Sequence, residues 1–409
     1  MILQADARAL PLADDSVDLV VTSPPYYMQR SYTDGGRHYD GQIGVEPTVT
    51  AYLDALLHAT RECIRVLKPT GSIWINLGDK YATRGSSTRA ARRDGLNDND
   101  HTRHRPGMNR GGVPEKSLLG LPWRYAIRCV DELGLTLRAE VIWSKPNGLP
   151  ESVTDRVRRS HEQWFHFTLT PRYYSAVDDI RELYNGDRAL SRRIKHPGSG
   201  KHEQRAAWTK QHSRGRIPGS VWEVPTQPLT VPADLEVDHF AAFPMELPRR
   251  LIRGWSPREV CARCGAGRGP RVAAQGIGDR QPAVLGARRG EDLHPDTSGI
   301  ENRRHRTARH PGSARCACPD ATAPTTPGVV LDPFGGTGTT ALVAAMLGRT
   351  GVSVDASADY CRLAEWRARD PRQRAKAAAH RSPHTTSGPH PPDVAGAQRR
   401  PPHHPRREP

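Results

Sequence analysis

Val17–Tyr26, VDLVVTSPPY, decides how the chain folds. Leu19, Val20 and Val21 are a short β-type apolar run, as suits a strand buried on both faces of a parallel sheet. Pro24 and Pro25 cannot donate to a sheet ladder, so they end the strand. Ser23 and Tyr26 are left on a stiff turn at its carboxyl end, where open α/β sheets hold ligands. The expectation is a turn that fixes something in one geometry.

Helix and strand alternate on either side of this stretch. A strand at Ile2 to Gln4 leads to a turn carrying Asp6, a candidate for the same crevice. Tyr52, Leu53, Leu56, Leu57, Cys63, Ile64 and Leu67 fall near helical spacing over 48–67, and Pro69 with Gly71 marks the helix end. Ser72 to Leu77, Leu137 to Trp143 and His161 to Leu169 read as strands. A helix from Pro122 to a cap at Gly134 would bury Trp123, Ala126, Ile127, Val130 and Leu133. The expected class is α/β with a mostly parallel, Rossmann-like sheet.

The second key stretch is Val329 to Thr340, VVLDPFGGTGTT. A strand enters a glycine turn and a helix leaves it. Gly336, Gly338 and Ala341 fit G-x-G-x-x-A, the close backbone approach used for nucleotides, and no Lys follows to make a P-loop. Asp355 lies 19 residues after Gly336 at the end of the next strand, where a carboxylate can bind ribose hydroxyls. Alone, this stretch is either a dinucleotide site or a simple glycine turn. A dinucleotide unit usually opens its chain, whereas this one comes last.

The 409 residues carry 60 Lys and Arg against 44 Asp and Glu, a formal net charge of +16. That balance points to a polyanionic partner, most often nucleic acid. Arg, Gly, Asn and Asp dominate 82–116, a long loop that is a candidate DNA contact. Over 171–235, Arg192, Arg193, Lys195, Lys201, Arg205, Lys210, Arg214 and Arg216 are interleaved with Tyr173, Tyr174, Trp208 and Trp222. Basic residues mixed with aromatics suit a nucleic-acid surface. MILQADARAL has neither the basic start nor the apolar core of an export signal, and no run approaches a membrane span. A reducing, cytoplasmic setting follows, in which the seven cysteines suit metal better than disulfides. Cys261-x-x-Cys264 and, after 51 residues, Cys316-x-Cys318 present two thiolate pairs suited to a structural zinc.

Together these stretches resemble the amino-group DNA methyltransferases that use S-adenosylmethionine, in the permuted arrangement with the catalytic motif first. TSPPY at 22–26 resembles the catalytic motif and DPFGGTGTT at 332–340 the cofactor motif. HFAAFP at 239–244, INLGD at 75–79, EVIWSKPN at 140–147 and HEQWFHF at 161–167 resemble segments between them. The resemblance implies a circularly permuted methyltransferase fold with double-stranded DNA as partner. Ser23, Pro24, Pro25 and Tyr26 would be catalytic; Asp6, Phe243, Asp332, Phe334, Gly336, Gly338, Thr339 and Asp355 would face the cofactor.

The chemistry gives those residues a reason. An exocyclic amine is a poor nucleophile because its lone pair is delocalised into the ring. Acceptors for its hydrogens, such as the Ser23 hydroxyl and Pro24 carbonyl, can localise that pair, and Tyr26 can stack on a base swung out of the duplex. No cysteine follows a proline, which disfavours the Pro-Cys nucleophile of ring-carbon enzymes. Serine before Pro-Pro-Tyr resembles the cytosine-N4 enzymes more than the adenine-N6 ones, which stay the alternative. The family usually has an acidic residue where Ser353 stands, so ribose binding passes to Asp355. The rivals are a nucleotide-binding oxidoreductase and a DNA-binding protein without activity.

The expected organisation is a catalytic half over 1–170, target recognition over 171–235 and a cofactor half over 236–260 and 319–368. A zinc-binding insertion would span 261–318, with a disordered basic tail over 369–409. A cognate restriction endonuclease is the implied protein partner.

Overall fold

The computed structural model describes residues 1–29, 32–34, 37–38, 41–82, 113–184, 214–232, 235, 237, 242–268, 316–318 and 322–379. The strands in chain order are β1 (Ile2–Gln4), β2 (Val17–Thr22), β3 (Thr33–Asp34), β4 (Arg37–His38), β5 (Leu67–Leu77), β6 (Thr136–Ser144), β7 (His161–Thr168) and β8 (Val221–Glu223). They continue with β9 (Glu259–Cys261), β10 (Gly267–Arg268), β11 (Thr325–Pro327), β12 (Val329–Asp332) and β13 (Thr350–Asp355). Eight of them form one sheet in the order β1-β13-β12-β2-β5-β7-β6-β8. Every neighbouring pair in it is parallel except the two that β7 makes with β5 and β6. The expected α/β class with a mostly parallel sheet is what the chain forms.

The helices are α1 (Val49–Val66), α2 (Leu121–Asp131), α3 (Glu246–Trp255), α4 (Thr339–Met346), α5 (Ala358–Arg369) and α6 (Pro371–Ala378). Thr48 starts α1, its hydroxyl accepting from Ala51 N at 3.1 Å. Tyr52, Leu53, Leu56, Leu57 and Cys63 then form its buried stripe. One core lies between the sheet and α1 with α2, around Leu56, Ile73 and Phe165. The other lies beneath α3 and α4, around Trp74, Trp164, Leu251 and Val343.

β12 leads through α4 to β13 on one side, while β2, its other neighbour, leads through α1 to β5. The winding direction therefore changes between β12 and β2, and a crevice opens at their carboxyl ends. The two diagnostic turns, Ser23–Tyr26 and Pro333–Gly336, sit at those two ends.

Four sequence expectations are corrected. Pro69 and Gly71 lie inside β5, because pairing with β2 jumps from Val17↔Leu67 to Leu19↔Ser72 and bulges the residues between out of the ladder. In α2 the buried face is Leu121, Tyr125, Ala126 and Cys129, while Trp123, Ile127 and Val130 are exposed. Tyr125 can face inward because its hydroxyl meets Thr60 Oγ1 at 2.7 Å. Tyr174 and Trp222, read as part of a nucleic-acid surface, are buried. The tail is helical over α6 rather than irregular from 369. Arg192, Arg193, Lys195, Lys201, Arg205, Trp208 and Lys210 lie outside the described residues, as do 83–112, 269–315 and 380–409. No helix among the described residues is long and apolar enough to cross a membrane.

Candidate active site

Thr22, the last residue of β2, is buried, and its hydroxyl donates to Asp332 Oδ1 at 2.6 Å. Asp332 ends β12. It also accepts from Thr340 Oγ1 at 2.8 Å and Phe334 N at 3.2 Å. One carboxylate thus ties the first motif's strand to the second motif's turn and helix. Burial raises the Asp332 carboxyl to about 6, against the pull of its three donors.

Beyond this tie the chain turns at Ser23. The Tyr52 hydroxyl donates to Pro25 O at 2.9 Å, so the Pro25 carbonyl is spent on anchoring the turn. Ser23 Oγ stands 3.4 Å from Tyr26 Oη, the outer edge of hydrogen bonding. The Tyr26 hydroxyl donates to Glu162 Oε2 at 2.7 Å and accepts from Asn76 Nδ2 at 3.0 Å. Asn76 also donates to Glu162 Oε2 at 2.7 Å. Lys145 pairs with Glu162 Oε1, and its ammonium lies 4.2 Å from the Trp143 ring centre. Burial and the Glu162 carboxylate push the Tyr26 phenol well up, so it stays protonated at neutral pH.

On the other side, Gly335 passes directly over Ser353, where any Cβ would fall 1.8 Å from the Ser353 hydroxyl. The small serine under the turn makes this close approach possible. Gly336 follows at φ +47°, with open space where its side chain would project. Asp355 accepts from Gly336 N at 2.8 Å and Ser357 N at 2.9 Å, so its carboxylate lies against the glycine turn.

These parts border one cavity of about 970 Å³. Its wall includes Asp6, Ser23, Pro24, Pro25, Tyr26, Phe243, Phe334, Gly336 and Asp355 from the residues expected in the site. Phe243 meets Trp164 edge-on, with ring centroids 5.8 Å apart. Asp6 is engaged by Arg8, whose guanidinium donates to both its oxygens and holds its carboxyl below the usual range.

Three expected cofactor residues stand behind the wall. Asp332 is buried in the tie described above. Gly338 caps α4 and packs against Ala364. Thr339 is buried, its hydroxyl accepting from Arg367 Nη1 at 2.6 Å. They shape the turn from beneath. Asn76, Lys145 and Glu162 line the cavity and were not singled out in the sequence, although each stands inside a quoted segment. The available signal was a polar residue within or just after an otherwise apolar strand.

Comparison with known proteins matches residues 17–260 and 321–366 to a family model described as DNA methylase, of the N6 and N4 type. The type II methyltransferase M.Cfr9I of Citrobacter freundii is 35% identical over 245 residues, covering 60% of this chain and 67% of the relative. M.SmaI of Serratia marcescens, also a type II methyltransferase, is 34% identical over 253 residues, covering 61% and 73%. Among solved structures, the cytosine-N4-specific PvuII DNA methyltransferase aligns over 92% of this chain and 90% of its own, at 18% identity and a TM-score of 0.49.

Proposed function

The chain belongs to the N6/N4 family of DNA methylases, and from that premise we propose that it moves a methyl group from S-adenosylmethionine to the N4 amine of cytosine in double-stranded DNA. One observation carries the proposal. The Ser23–Tyr26 turn and the glycine turn close the ends of adjacent strands and border the same cavity. A donor at one turn and a base at the other would meet there without further movement of either strand.

The residues present fit the donor. The open space above Gly336 is a cradle that a side chain would fill. Phe334, Phe243 and Asp6 stand on the same wall, and Asp355 offers a carboxylate beside the glycine turn. S-adenosylmethionine supplies an electrophilic methyl group on a sulfonium. The protein's part is to bind, to orient and to make the amine nucleophilic.

Ser23 Oγ and the Pro24 carbonyl do the last of these by accepting the amine hydrogens, which localises the nitrogen lone pair. The Tyr26 ring offers a stacking face for a base out of the duplex. Its hydroxyl is held by Glu162 and Asn76, so the ring is positioned before the base arrives. The base assignment rests on serine at position 23, where adenine enzymes resemble one another in an acidic residue or Asn. Pairing with an endonuclease that cuts the same site belongs to the same reading.

Nucleoside mass spectrometry of DNA from cells expressing the protein tests both parts. N4-methylcytosine at one sequence is the expected product, and Ser23→Ala should lower its rate about 100-fold with donor binding retained. N6-methyladenine alone would overturn the base assignment. Tight binding of NAD with no methyl transfer would overturn the whole reading.

A further inference from the structure

Away from the cavity, β9, β10 and β11 form a three-stranded sheet at the neck of the long insertion. Cys261 ends β9, and Cys264 follows in the turn to β10. That turn is closed by Gly265 N donating to Cys261 O at 2.9 Å and by Cys261 N donating to Ala266 O at 3.0 Å. Gly265 makes it possible at φ +69°, where a side chain would be strained. The second cysteine pair is separated from the first by 51 intervening residues, yet Cys316 N donates to Gly267 O at 3.0 Å and docks on the same turn. The sulfurs of Cys261, Cys264, Cys316 and Cys318 all lie within 4.8 Å of one another.

Four thiol groups drawn together from two remote segments need a reason. A disulfide does not supply it: the Cys264 and Cys316 sulfurs are 3.5 Å apart, far beyond a bond of about 2.05 Å, and one bridge would leave two thiols against it. A tetrahedral ion does. With metal–sulfur bonds of about 2.3 Å, the sulfur–sulfur edge is about 3.8 Å, which is the spacing this cluster approaches.

The geometry points to a single zinc ion bound by Cys261, Cys264, Cys316 and Cys318 in a closed, four-thiolate site. Thiolate ligands select soft or borderline cations, and an all-sulfur tetrahedral set is that of structural zinc. All four positions are taken by protein, so no place remains for water or substrate. Four thiolates around a divalent ion carry a net double negative charge. Arg268, donating to Cys261 Sγ at 3.7 Å, places a guanidinium beside it.

The position gives the ion its function. β11 pairs with β9, and a single residue, Gly328, separates β11 from β12, which carries the cofactor turn. Gly328 packs so closely on Pro257 that a Cβ would fall 2.3 Å from its carbonyl oxygen. An ion joining the two ends of the insertion closes its neck and fixes where the chain re-enters the central sheet.

Metal analysis of the full-length protein, purified without chelator, should find about one zinc per chain. Exchange with cobalt(II) should give intense thiolate-to-cobalt absorption with tetrahedral d–d bands. The double variant Cys264→Ser, Cys318→Ser should lose the metal, while Cys361→Ala keeps it. If the double variant does not fold, the cobalt spectrum of the unaltered protein decides alone. Absence of both zinc and the cobalt spectrum would overturn the site. So would a mass about 2 Da low from an oxidised cysteine pair.

Discussion

Glu162 receives three donors: the Tyr26 hydroxyl, the Asn76 amide and the Lys145 ammonium. Both of its oxygens are engaged by these donors, and the role expected of it is to position Tyr26. Glu162→Gln keeps the shape but turns half of the acceptor into a donor, facing groups that also donate. The turnover rate should fall about 10- to 100-fold while the Kd for S-adenosylmethionine, read by calorimetry, stays within about threefold. A matching loss of donor binding would mean that Glu162 braces the whole pocket instead. This scale also shows where sequence reading stops. Ser23 and Tyr26 were legible because two prolines break an apolar strand beside them. Asp355 was legible from its distance to the glycine turn. Glu162 and Asn76 were not, because alternation along a strand says which face a residue takes and nothing about what stands across from it. Thr339 and Gly338 illustrate another limit: a motif marks a loop, and it does not say which of the loop's residues border the cavity and which pack behind it.

At the scale of elements, the strands and most helices follow from apolar periodicity, while the faces are less secure. In α2 the stripe through Trp123, Ile127 and Val130 is the more apolar one by composition. The helix nevertheless turns Tyr125 and Cys129 inward, because Thr60 on α1 offers the tyrosine a partner. The end of the chain reverses the error. Composition reads as irregular from 369, yet Asp370 caps α6 by accepting from Gln373 N at 2.8 Å, and Pro371 opens it. Aspartate followed by proline is a helix-start signal that the surrounding Pro, His and Arg obscured. α6 is held from outside as well. Arg249 on α3 donates to Ala377 O at 2.6 Å, and Arg367 on α5 bonds Thr337 and Thr339 beneath the glycine turn. The helix therefore packs against α4 and α5, beside the glycine turn that opens α4. Ala377→Asp puts a charge at a buried position and should lower the Tm by about 5–10 °C. Ala375→Asp, on the exposed side of the same turn, should change it by under about 2 °C. Equal shifts in calorimetry would show that α6 does not pack as described.

At the scale of the whole molecule, His166 and Asp332 are two of the titratable groups buried in the central sheet, and their pH effects oppose each other. His166 on β7 stacks on Trp74 with ring centroids 4.4 Å apart and meets Ser72 Oγ at 3.0 Å. Burial pulls its imidazole down to about 3. In the unfolded chain it titrates near 6.5, so the stability tied to neutral His166 is complete above that pH and drains as pH falls toward 3. Asp332 runs the other way. Its folded carboxyl, at about 6, lies above the ordinary 3.8, so its contribution is complete below about 4 and is lost as pH rises through 6. Between pH 4 and 6 each changes stability by at most about 1.4 kcal/mol per unit, with opposite sign, and the native protein should show a nearly flat profile from this pair. Removing one member exposes the other. In urea unfolding, His166→Gln should gain stability relative to the native protein as pH falls from 6.5 to 4.5, and Asp332→Asn should lose it. Parallel profiles for all three proteins would mean that neither group keeps its charge state out of step with water, and Asp332 would then tie the two motif strands as an ordinary carboxylate, ionised above about pH 4.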